Sequence, residues 1–198
     1  MEYAARLDVL ALAAHPDDVE LCAGGTMCLL AQQGYATGIV DFTQGELGSR
    51  GTPELRLQEA EHAANIMGLE ARDNLGLPDG HIANTKANQR VLIQRIRRYR
   101  PHVVLINADT CRHPDHCDAA ELAADALFYS GLRKVETTDT DGTAQEPWRP
   151  HHVLHYMQAR SFEPTLVVDV SDVWDQRIEA LQAFRSQFFN PDYDAEAD

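Results

Sequence analysis

Two short runs constrain this chain more than anything else in it. Leu7–Ala14 is apolar at every position except Asp8, and Val103, Val104, Leu105 and Ile106 stand in a row within His102–Asn107. A strand with one wet face alternates apolar and polar residues. A strand that reads apolar throughout is buried on both faces, as in a parallel sheet covered by helices. The segments between fit that demand. Val19–Gln33 has apolar residues at helical spacing, with Gly34 as a stop, and Ala36–Phe42 reads as a second strand. Thr52 and Pro53 mark a helix start, as cap and first residue, and that helix runs to about Met67 before Gly68. A short strand is expected around Asn74–Leu77, and helices over Asn88–Tyr99, Asp115–Ser130 and Val173–Phe188. Further strands are expected at His152–Met157 and Thr165–Val170. Thr137–Pro150, rich in Thr, Asp, Gly and Pro, is a loop long enough to suggest a functional role. Strands alternating with helices give a mostly parallel α/β sheet with helices on both faces. Ligands of such sheets sit beyond the carboxyl ends of the strands, where strand order reverses.

The chain's 198 residues suit one domain and are few for two. The formal net charge of −14 argues against a nucleic-acid partner, since phosphate binding needs a basic face. Arg95, Arg97, Arg98 and Arg100 read instead as the solvated side and end of a helix. No run is long and apolar enough to span a bilayer, and the first residues lack a signal-peptide pattern, so a cytoplasmic location is the default. Cys22, Cys28, Cys111 and Cys117 form no CxxC pair and read as free packing thiols.

Two motifs stand at the ends of the two apolar strands. His15-Pro16-Asp17-Asp18 follows the first, and His113-Pro114-Asp115-His116 lies a few residues past the fourth-strand run. His15, Asp18 and His116 make a His₂Asp ligand set for a divalent metal, with one tetrahedral position left for water. Zinc is preferred, and ferrous iron or cobalt also fits. A dication would favour the ionised forms of the adjacent carboxylates Asp17 and Asp18. With Asp18 on the metal, Asp17 is the candidate general base. His113 would then face the substrate carbonyl as an oxyanion donor or acid, with Asp115 orienting it and favouring its charged form. Purely structural explanations stand beside these: Asp18 and Asp115 can also be helix N-caps. A phosphate-loop reading of Gly24-Gly25-Thr26 fails, since neither GxGxxG nor GxxxxGK[ST] is present.

The stretch AHPDDVE and the later HPDH resemble the LmbE-like (PIG-L) zinc-dependent N-deacetylases. Further similarity lies in TQGELGSRGT with ELRLQEA (43–60), NLGLPDG (74–80), RYRP (98–101), FYSGLRK (128–134) and RSQFF (185–189). The last two resemble the bacillithiol-pathway deacetylases of N-acetylglucosaminyl malate. The resemblance implies a single Rossmann-like three-layer α/β/α deacetylase domain over residues 1–198, with the metal site at the strand carboxyl ends. It implies zinc on His15, Asp18 and His116, Asp17 as base, and His113 with Asp115 at the oxyanion. It also implies hydrolysis of an acetamide on an N-acetylglucosamine-containing small molecule. N-acetylglucosaminyl malate is favoured, with N-acetylglucosamine or chitooligosaccharides as the alternative. A non-catalytic binding protein on the same fold is the remaining alternative.

Arg56 matches a substrate-facing arginine and could clamp a malate carboxylate, or simply pair with Glu59 or Glu46. Glu46 and Asp79 are expected to hold sugar hydroxyls, or to cap the turns they sit in. The family implies a homo-oligomer, a hexamer among the forms it admits. It also usually continues past the SQFFNP-like segment, so a family C-terminal segment is expected to be absent after about 190.

Overall fold

A computed structural model describes residues 6–188. Residues 1–5 and 189–198, and with them the readings made of the first residues and of the segment after 190, lie outside the described residues. Five parallel strands, β1 (Val9–Ala13), β2 (Thr37–Asp41), β3 (Ala71–Asn74), β4 (Val103–Ile106) and β5 (His152–His155), form one sheet. Their order is β3-β2-β1-β4-β5. The reversal falls between β1 and β4, where Val9 pairs with Val103 and Ala11 with Leu105. Both motifs leave the sheet at that point, one from each side.

Two apolar layers hold the sheet. On one face Leu10, Leu12 and Ile106 pack with α4 (Lys86–Tyr99) and α5 (Pro114–Ser130), through Leu92, Ile96 and Leu122. On the other, Ala11, Ala13 and Ile39 pack with Met27 of α2 (Gly24–Gln32), Met67 of α3 (Pro53–Met67) and Ala180 of α6 (Trp174–Gln182). The double-sided burial expected of the apolar runs is therefore present: all five residues of β1 are buried. Thr52 caps α3 as its sequence predicts, accepting from the Leu55 N–H at 3.2 Å, with Pro53 in the first turn.

The elements differ from the sequence reading in several places: the short strand expected at Asn74–Leu77 is Ala71–Asn74, and the helix expected over Val173–Phe188 ends at Gln182. The Val19–Gln33 helix is two: α1 (Asp18–Cys22) and α2, broken at Ala23 (φ −130°, ψ 3°). The break brings Gly25 against Val170, where a Cβ would stand 2.8 Å from the valine Cβ, so only glycine fits. Thr165–Val170 is not a strand. Its apolar run finds no neighbour in the sheet, which ends at β5, and Leu166 and Val167 are left exposed while Val170 seats on Gly25. The loop 137–150 lies away from the metal motifs. Trp148 Nε1 donates to Pro101 O and His151 N to His102 O, at the amino ends of β4 and β5. Arg97 is not on a solvated face: it is buried. It donates to the Ser130 carbonyl, which ends α5 without a helical partner, to the Leu132 and Val135 carbonyls of the segment beyond it, and to Thr137 Oγ1.

Candidate metal and catalytic site

Asp17 occupies a conformation that side chains rarely adopt, with φ at 117°. Arg56, reaching from α3, holds it there. The Arg56 Nη2 donates both to Pro16 O, at 2.5 Å, and to Asp17 Oδ2, at 3.1 Å. Gly45 leaves the room for this arginine, since a Cβ there would sit 2.4 Å from Arg56 Nη1. Burial pushes the Asp17 carboxyl well above its usual range, and the Arg56 charge pulls it back. Such a group takes up a proton more readily than an ordinary carboxylate.

Asp18 is buried one residue on and its carboxylate is fully engaged. His15 N–H and Asn107 Nδ2 donate to Oδ2, at 3.1 and 3.2 Å. Gln158 Nε2 and His116 Nε2 meet Oδ1, at 3.2 and 3.1 Å. Burial alone would raise Asp18, but the His116 hydrogen bond and charge outweigh it and hold the carboxyl below its ordinary value. His116 moves the other way. Burial opposes its charge, yet the bond to Asp18 pushes it up to about 9. The pair shares a proton at the place where a cation would compete for the same two atoms.

His15 completes the cluster. Its Nε2 lies 3.0 Å from Asp79 Oδ1 and 3.1 Å from Asp115 Oδ2, while its Nδ1 faces Asp18 Oδ2 at 3.7 Å. Two carboxylates at Nε2 favour the tautomer with its proton there, which leaves Nδ1 to a cation beside Asp18. A carboxylate behind a metal-binding histidine is a common way of fixing its tautomer. The donor types of His15, Asp18 and His116 suit a dication, with Asp18 facing His15 Nδ1 at 3.7 Å and His116 Nε2 at 3.1 Å. Among the described residues, the groups whose donor atoms all lie within 4.8 Å of one another are instead His15 with His113 and His116, and His15 with Asp79 and Asp115, so His113 is geometrically a rival ligand to Asp18.

His113 caps α5, its Nδ1 accepting from the Asp115 N–H at 3.3 Å. A neutral ring held this way carries its proton on Nε2. Burial, then the neighbouring His15 and His116, lower its affinity for a second proton, against the pull of Asp115.

The structure gives four of the residues singled out from sequence partners that the sequence did not name. The Asp115 carboxylate bonds His15 and the Gly80 N–H (2.8 Å); its contact with His113 is made by the main chain. Neither it nor Asp18 caps a helix through its side chain. Asp79 accepts from His15 and from the Leu47 N–H, and Glu46 accepts from the Asp79 and Gln44 N–H groups, so both carboxylates tie loops together. Arg56 pairs with neither Glu59 nor Glu46; Glu59 binds Ser186. Residues that sequence reading passed over also enter the site. Asn107 ends the apolar run of β4, a visible signal. Gln158 carried none. Cys111, read from the sequence as a packing thiol beside HPDH, instead has its Sγ 3.1 Å from His116 Nδ1.

An open parallel sheet with imidazoles and carboxylates gathered at its switch point defines a Rossmann-like α/β protein with a metal-binding type of site. Residues 10–127 match the family model PIG-L, described as GlcNAc-PI de-N-acetylase, and the chain belongs to that family of amide-hydrolysing enzymes. Two curated relatives are similar over most of its length. The diacetylchitobiose deacetylase of Thermococcus kodakarensis is 27% identical over 91% of this chain and 70% of its own. The probable N-acetyl-α-D-glucosaminyl L-malate deacetylase 2 of Bacillus cereus is 28% identical over 90% of this chain and 83% of its own. The crystal structure of a conserved protein from Thermus thermophilus superposes with a TM-score of 0.85 at 43% identity, covering 92% of this chain and 80% of that one.

Proposed function

We propose that this chain is a zinc-dependent N-deacetylase of a small N-acetylglucosamine-containing molecule. N-acetylglucosaminyl malate is the favoured substrate, giving glucosaminyl malate and acetate. The observation that carries the reading is the convergence of both motifs on Asp18, with Asp17 beside it on a strained, arginine-held turn. Zinc held by His15, Asp18 and His116 would supply Lewis acidity for the carbonyl and acidify a water. Asp17 takes the proton of the attacking water, and that proton is the one the departing amine needs. Arg56 keeps Asp17 aimed while leaving one carboxylate oxygen without a bond to it. His113 donates its Nε2–H to the developing oxyanion as a neutral ring. Asp79 and Asp115 act through His15, by fixing its tautomer.

Support for the malate aglycone comes from the similarity to the B. cereus protein. Arg56, the residue expected to hold a malate carboxylate, is engaged with Asp17. The whole chain is read as one deacetylase domain of the cytoplasm. No helix among the described residues is long and apolar enough to cross a membrane. Exposed Val153 and Leu154 on the edge strand β5, with Leu166 and Val167, support a homo-oligomer, which light scattering would test.

The deciding assay measures acetate release from N-acetylglucosaminyl malate, diacetylchitobiose and N-acetylglucosamine, with and without added zinc, after metal analysis. Zinc-dependent release, fastest from the malate conjugate, is expected. A preference for diacetylchitobiose would overturn the malate assignment, and no release from any of the three would overturn the deacetylase. In the same assay His113→Ala should lower kcat by about 10²–10³ with KM and zinc content little changed, as for loss of one oxyanion donor. Zinc lost along with activity would make His113 a ligand.

A further inference from the structure

The distal nitrogen of a metal-bound histidine is normally held by a carboxylate, a main-chain carbonyl or water. His15 follows that pattern through Asp79 and Asp115. His116 does not. The partner of its Nδ1 is the sulfur of Cys111, at 3.1 Å, and its Nε2 lies 3.1 Å from Asp18 Oδ1. Cys111 is buried. Its own main-chain N–H donates to Cys117 Sγ at 3.3 Å, so the cysteine on the other side of HPDH braces the turn that presents it. The thiol is on the far side of the ring from the cation position. Among the described residues, the groups close enough to share an ion are His15 with His113 and His116, and His15 with Asp79 and Asp115; His116 belongs to the first, and neither includes a cysteine or Asp18.

Resting on the reading of His116 as a zinc ligand, we propose that Cys111 is the positioning residue of that ligand. Its sulfur accepts the Nδ1–H and so commits Nε2 to the metal and Asp18. A thiol in this place makes the site's metal affinity depend on a group that alkylation or oxidation would remove, with no change in any ligand.

The test is zinc affinity of the full-length protein, measured by competition with a chromophoric chelator, for wild type, Cys111→Ala, Cys111→Val and Cys111→Ser, with Cys22→Ser as a thiol control. Circular dichroism of the metal-free proteins checks the fold. Cys111→Ala and Cys111→Val should bind zinc about 10–100-fold more weakly, as for other lost partners of ligating histidines. Cys111→Ser, whose oxygen can also accept the Nδ1–H, should recover most of the loss, and Cys22→Ser should match wild type. Affinities within twofold across the Cys111 series would overturn the inference and leave the deacetylase reading intact. So would an intense thiolate-to-metal band in the cobalt-loaded wild type that disappears in Cys111→Ser, since Cys111 would then be a ligand. A wild type that binds no zinc would instead remove the metal reading, and the inference with it.

Discussion

Asp17→Asn is expected to retain zinc and fold while kcat falls about 10²–10⁴-fold, the range of a lost general base. Asparagine isolates the proton-accepting role better than alanine would. Its amide oxygen can still accept from Arg56 Nη2, and asparagine tolerates positive φ more readily than most residues, which matters where φ is 117°. In the metal-free protein burial pushes the Asp17 carboxyl upward against the Arg56 charge. The amide cannot accept a proton at all. KM should move little, because the loss falls on a step made in the transition state. Turnover within a few-fold of wild type at full zinc loading would remove Asp17 from the proton transfer and shift the role to His113.

Arg72→Ala is expected to destabilise the fold by about 3–5 kcal/mol, the cost of leaving buried charge unpaired. Arg72, on β3, donates from Nε and Nη2 to the two Asp41 oxygens at 2.8 and 3.1 Å, and from Nη1 to Glu20 and the Ala60 carbonyl. Glu20 and Asp41 are both buried, and one Glu20 oxygen already has no partner. Burial pushes Asp41 up to about 6 even with Arg72 beside it. Without the arginine the Asp41 pKa rises further above its unfolded value. A raised carboxyl pKa favours folding with the proton on, so the stability deficit should be smallest at acid pH and grow as pH rises through 6. Thermal melts of wild type and variant from pH 5 to 8 would show it. At about 2–4 °C per kcal/mol, a neutral-pH Tm within 2 °C of wild type would sink the claim. Glu20 belongs to α1, the single turn that begins at Asp18, so loosening it should also reduce zinc retention.

The two motifs were legible because each is local. His-Pro-Asp-Asp and His-Pro-Asp-His are ligand-rich within four residues, and apolar runs of the kind in β1 and β4 announce a doubly covered parallel sheet whose carboxyl ends hold ligands. The predicted strand at Thr165–Val170 failed for a related reason. Its apolar composition is real, but a strand exists only beside another, and here the sheet stops at β5. The Val19–Gln33 helix is broken at Ala23, which brings Gly25 into a close approach with Val170 that helical spacing alone does not reveal.

By itself, then, the sequence determined the α/β alternation, the two histidine- and carboxylate-rich strand ends and the family. Tertiary structure decided what each charged side chain does. Asp79 and Asp115 reach His15 across 64 and 100 residues of chain, Arg56 crosses 39 to grip Asp17, and the thiol of Cys111 turns to His116. Spacing along a chain fixes which residues share a turn. Hydrogen-bond partners between elements depend on side-chain directions that only the packed layers impose.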